Sequence, residues 1–78
     1  MARTAVAHPG TVLAQDFLAP RNLSIYYLAV SIDVPSSQLG RFIAGQRPAT
    51  PDLDQRLTEF FGTRPGHWTN LQRQFEAN

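Results

Sequence analysis

Proline and glycine punctuate this chain so often that only short elements fit between them. Five stretches of periodic apolar residues are left. In the first, Leu13, Ala14, Phe17 and Leu18 recur on one helical face. It runs from about Gly10 to Leu18 and is expected to end at Pro20, because a helix rarely continues into the residue before a proline. The second opens at Ser24, whose hydroxyl suits the free N–H groups of a helix start, and it turns Leu28, Ala29 and Ile32 inward before stopping near Asp33. The third begins at Pro35, presents Leu39, Phe42 and Ile43, and closes at Gly45. The fourth opens on Thr50-Pro51-Asp52, a cap, a first-turn proline and an acidic group at the positive end of the helix. Leu53, Leu57, Phe60 and Phe61 are its expected buried side, and Gly62 ends it. The fifth spans about 65–76 and carries Trp68, Leu71 and Phe75.

No segment alternates with a period of two, so no sheet is expected. At 78 residues the chain holds one domain over 1–78, and every element must contribute to a modest core. Apolar residues make up 42%, too many for a disordered chain. There is no cysteine, which excludes disulfides and thiolate metal sites. No apolar run approaches the ~18 residues that span a membrane. The N-terminus lacks the apolar core of a signal peptide. A soluble cytoplasmic protein is the expectation, with residues 1–7 fraying because they are small and mixed.

Net charge is only +1, but it is unevenly placed. Arg3, Arg21, Arg41 and Arg47 against Asp16 and Asp33 leave residues 1–50 at +2. Arg56, Arg64 and Arg73 against Asp52, Asp54, Glu59 and Glu76 leave residues 51–78 at −1. Every basic residue is arginine. A GC-rich genome would give that bias; arginine is also the side chain shaped for phosphate and guanine edges.

The segment from Ser24 to Gly45 carries the functional signal. Two short helices joined by a brief turn at Asp33-Val34 make a helix-turn-helix, whose helices cross at roughly 90–120°. Ala29, Ile32, Leu39 and Phe42 would meet in that angle. Ser36, Ser37, Gln38 and Arg41 are left on the outer face of the second helix, with no acidic side chain to repel phosphate. Such a face suits the major groove of double-stranded DNA.

Several pieces occur in order: HPG at 8–10, FLAP at 17–20, LS at 23–24, LA at 28–29, VP at 34–35, GQRPAT at 45–50, RL at 56–57, FG at 61–62 and PxxWxNLQ at 65–72. Together they resemble the HigA antitoxins of the Xre/Cro helix-turn-helix group. The resemblance implies an all-α, five-helix, lambda-repressor-like DNA-binding domain. It implies a homodimer on a palindromic operator in its own promoter, and a partner toxin of the RelE/HigB ribonuclease type. Carried over by position, Ser36, Ser37 and Arg41 read base edges, while Gln38, Gln46 and Arg47 meet phosphates. Three positions depart from the family pattern. Ile25 stands where a polar residue often touches a phosphate, Asp33 where the turn has glycine, and Gly40 in mid-helix.

The remaining residues have plainer readings. His8 and His67 are far apart, and a stable metal site needs three or four ligands. Asp52 and Asp54 lie about 200° apart on a helix and form no acid–base pair. No nucleophile–base set, phosphate loop or cofactor motif is present, so neither an enzyme nor a bound cofactor is expected. Arg47 has two outlets, a phosphate or a carboxylate such as Asp52. At most one of Tyr26 and Tyr27 can face the core. Trp68, Leu71 and Phe75 are either core or dimer interface. Two rival functions also fit the residues: a toxin-binding module with weak or no DNA binding, and a stand-alone Xre-type repressor.

Overall fold

The computed structural model describes residues 7–77, which are helical with no strand. The expected fraying of residues 1–7 falls, for 1–6, outside the described residues. Helix α1 covers residues 9–21 in three continuous pieces: an α-turn Pro9–Val12, a π-helical stretch Leu13–Leu18 and a closing turn Ala19–Arg21. Helix α2 is Ile25–Ile32, α3 is Ser36–Ile43, α4 is Pro51–Phe61 and α5 is His67–Ala77.

Helix α1 does not end at Pro20. Proline lacks an N–H, and in a regular α-helix its ring collides with the carbonyl four residues back. The π stretch resolves this by widening the turn, so that the Ala19 N–H reaches the Ala14 carbonyl five residues back. The helix thus passes through the proline and stops at Asn22, which takes the left-handed conformation at φ 57°.

Three helices finish in the same way. The N–H of Leu23 bonds the Leu18 carbonyl at 3.0 Å, that of Val34 bonds Ala29 at 2.9 Å, and that of Gln46 bonds Arg41 at 2.8 Å. Each is the six-residue closure of a Schellman end, which requires a left-handed residue just before it. Asn22, Asp33 and Gly45 supply that residue. Asp33 at φ 61° therefore makes the turn for which glycine is the usual choice.

The starts of the helices are tied down by side chains with one exception. His8 Nδ1 accepts the Gly10 N–H, Ser24 Oγ accepts that of Tyr27, and Thr50 Oγ1 accepts that of Leu53. The buried carboxylate of Asp54 accepts the N–H groups of Gly66 and Trp68 at the head of α5. Helix α3 begins after Pro35 with no side-chain cap.

The core gathers Leu13 and Leu18 of α1, Leu28, Ala29 and Ile32 of α2, Leu39 and Phe42 of α3, Leu57 of α4 and Trp68 of α5. Removing each of the larger side chains from water contributes roughly 1.5–3 kcal/mol. Helix α1 packs on both α3 and α5. It approaches α3 so closely that a Cβ on Gly10 would run into the Phe42 carbonyl. Phe17 sits 5.0 Å, centroid to centroid, from both Phe61 and Trp68, and the Arg21 guanidinium lies over Phe17 and Phe61.

One core expectation needs correction. Phe60 is exposed, because Phe60 and its neighbour Phe61 are about 100° apart on the helix and only Phe61 points to α1. Of Tyr26 and Tyr27, of which at most one was expected inside, both lie on the surface, since the core-facing stripe of α2 is filled by Leu28, Ala29 and Ile32.

Candidate nucleic-acid interface

Helix α3 is amphipathic. Leu39 and Phe42 are buried in the angle with α2, which leaves the side chains of Ser36, Ser37, Gln38 and Arg41 outside. Gly40 lies on the same open side, and a Cβ there would meet nothing within 4 Å. The helix starts in free backbone N–H groups, because Pro35 offers no capping side chain. Aligned N–H groups and the helix dipole favour an anion at such an end. Arg41, in the last turn, makes no ion pair among the described residues.

The loop after α3 brings Arg47 back toward the helix. Arg47 and Gln38 line one cleft of about 120 Å³, together with Val34, Pro48, Thr50 and Asp52. Gln46 is not part of that cleft. It borders a second hollow, turned toward α5, with His8, Gln72, Phe75 and Glu76, and Arg47 lines that hollow as well. Of the two outlets open to Arg47 in sequence, the carboxylate is not used among the described residues. Asp52 pairs instead with Arg56 one turn along α4, at 2.8 Å.

The stripe on α5 splits by burial. Trp68 is fully buried within this chain, its indole N–H donating to Thr63 Oγ1, so its side chain has no surface left for a second copy. Leu71 is half-buried and Phe75 is 40% exposed. His8 is a helix cap packed edge-on against Phe42 and Phe75. Among the described residues no group of three or more His, Cys, Asp or Glu is placed to hold a metal ion. Among the described residues no helix is long and apolar enough to cross a membrane.

No family model matches the sequence. Among curated proteins, virulence-associated protein I of Dichelobacter nodosus is 33% identical over 88% of this chain, and the matched region is 64% of that relative. The chain thus spans less than two thirds of the length of that relative. Among solved structures, the antitoxin HigA of Pseudomonas aeruginosa with the higBA promoter superposes at a TM-score of 0.88, with 29% identity over 92% of this chain and 78% of that one. An addiction module antidote protein of the HigA family from Coxiella burnetii superposes at 0.88, with 32% identity over 95% of this chain and 80% of that one. The chain belongs to the HigA antitoxin family. Its five helices are the helix-turn-helix fold of that family.

Two residues of this HigA-family chain escape a reading of the sequence. Arg56 donates from Nη1 to the Ile32 carbonyl at 2.8 Å, and so ties α4 to the last turn of α2 beside the motif's bend. Its hydrogen bond to Asp52, and the charge of that carboxylate, raise its basicity above the ordinary arginine range. The i,i+4 spacing of Asp52 and Arg56 was visible in the sequence; the reach to Ile32 was not. Asp54 is the other, because the amides it holds lie 12 and 14 residues further on.

Proposed function

We propose that the chain is an antitoxin that binds operator DNA as a dimer, represses its own promoter and neutralises a ribonuclease toxin. One observation carries the DNA-binding half. The outward face of α3 combines an uncapped N-terminal turn with Ser36, Ser37, Gln38 and an unpaired Arg41, and α3 holds no carboxylate. In this reading Ser36, Ser37 and Arg41 meet base edges in the major groove, with Arg41 bidentate to guanine. Gln38, Gln46 and Arg47 meet phosphates. Leu71 and Phe75 contribute to the dimer contact, which sets two α3 helices about 34 Å apart. The likeness to an antitoxin solved with promoter DNA supports the same reading.

A second reading, a toxin-binding module with weak DNA affinity, is favoured by Ile25. It stands 37% exposed in the first turn of α2, where an apolar side chain offers phosphate nothing.

Fluorescence anisotropy separates the two. The protein is titrated with DNA from upstream of its own gene and with a scrambled duplex, at two salt concentrations, beside Arg41→Ala. Tight, salt-sensitive binding to the native duplex, made weaker and less selective by Arg41→Ala, is expected. Equal weak binding to both duplexes, unmoved by the substitution, would leave the second reading standing. Co-expression with the product of a neighbouring gene tests the toxin half through the growth of the host.

A further inference from the structure

Resting on that DNA-binding reading, we propose that Tyr26 is a further DNA-contacting residue, its phenol donating to a backbone phosphate beside the reading helix. Tyr26 stands in the first turn of α2 and is 70% exposed, and its hydroxyl has no hydrogen-bond partner among the described residues. Val30, one turn further along, is 63% exposed on the same side. Two large exposed side chains stacked on a short helix do not serve the fold, because the core stripe of α2 is already filled by Leu28, Ala29 and Ile32.

Placement gives the pair its partner. Tyr26 and Val30 line a cleft whose other wall is Pro35 and Ser36, the uncapped start of α3. A strand whose phosphate sits at that helix end has Tyr26 at its flank. The phenol offers the donor that phosphate needs, while Val30 and the tyrosine ring offer apolar walls to the sugar. Asp33 also borders the cleft, and its charge is within electrostatic reach of Arg56. Tyr27 does not line this cleft, which makes it an internal control.

A neutral donor leaves a signature that a cation does not. Salt dependence counts the counterions released when cationic groups neutralise phosphates. Losing a phenol therefore lowers affinity without changing the salt slope. The test is anisotropy with the upstream and scrambled duplexes across a salt series, comparing wild type, Tyr26→Phe and Tyr27→Phe, with thermal melts of all three. Tyr26→Phe is expected to weaken binding about tenfold on both duplexes, with the slope and melting temperature unchanged and Tyr27→Phe like wild type. Wild-type affinity in Tyr26→Phe, or an equal loss in Tyr27→Phe, would overturn the assignment while leaving the DNA-binding reading intact. Failure of the wild type to bind either duplex would overturn both.

Discussion

The carboxylate of Asp54 holds the backbone N–H of Trp68 at 2.8 Å and, with its other oxygen, that of Gly66 at 2.7 Å. Asp54 is itself buried, and Trp68 is fully enclosed. The last helix is therefore docked through an acidic group on α4 that acts as a remote cap. Replacing Asp54 with alanine strands two backbone donors beside the core. A loss of about 3 kcal/mol in unfolding free energy is expected, with Asp54→Asn falling between the two because its amide keeps one acceptor. Urea denaturation of the three proteins reads this directly, and equal midpoints would show that the contact contributes nothing.

The crossing of α1 over α3 depends on a missing side chain. A Cβ at Gly10 would overlap the Phe42 carbonyl and lie 2.8 Å from the Ile43 Cα, and neither backbone atom can swing aside. Gly10→Ala gains helix propensity, yet the collision is expected to destabilise the fold by about 1–3 kcal/mol. A melting temperature at or above that of wild type would contradict so close an approach.

Gly40 behaves in the opposite sense. It lies within α3, where a methyl group meets open space. Gly40→Ala is expected to stabilise the chain by up to about 1 kcal/mol, through a better helix former and a less free unfolded chain. The same variant, titrated with upstream DNA, reports whether the bare backbone there is used for close approach. Greater stability together with lower affinity is the expected pairing.

Arg47 makes no ion pair among the described residues, and Asp52 is held by Arg56. Arg47→Ala is expected to reduce the slope of log affinity against log salt by about 0.9, the value for one phosphate contact. The fall in affinity should be similar on native and scrambled duplexes, because phosphates carry no sequence. An unchanged slope would remove Arg47 from the interface.

Much of the fold was written in local chemistry. Ser24 and Thr50 cap the helices they were expected to cap, because a capping side chain acts within three residues of itself. Gly45 ends α3 as expected, because a glycine takes the left-handed backbone that closes the last turn. The proline rule misplaced the end of α1, because a π-helical stretch changes which carbonyl each N–H meets and so removes the clash. Side-chain orientation was harder to read where two large residues adjoin. The pairs Tyr26–Tyr27 and Phe60–Phe61 each present more apolar surface than one helix face can bury, and only the neighbouring helix decides whether a ring goes in: Phe61 packs on Phe17, and neither tyrosine is buried. The outward set Ser36, Ser37, Gln38 and Arg41 was legible because periodicity alone separates it from Leu39 and Phe42. Arg56 and Asp54 were not, since their partners are far along the chain.

The bond from Arg56 to Ile32 bears on how this motif can be moved between proteins. The donor that steadies the bend comes from a helix beyond the pair it steadies. Residues 24–45 cut out and grafted onto another scaffold would lose that donor, and the last turn of α2 would be left to water. The portable unit is therefore longer than the motif and extends through α4, so a designer borrowing this reading helix must carry residues 24–61 as one piece.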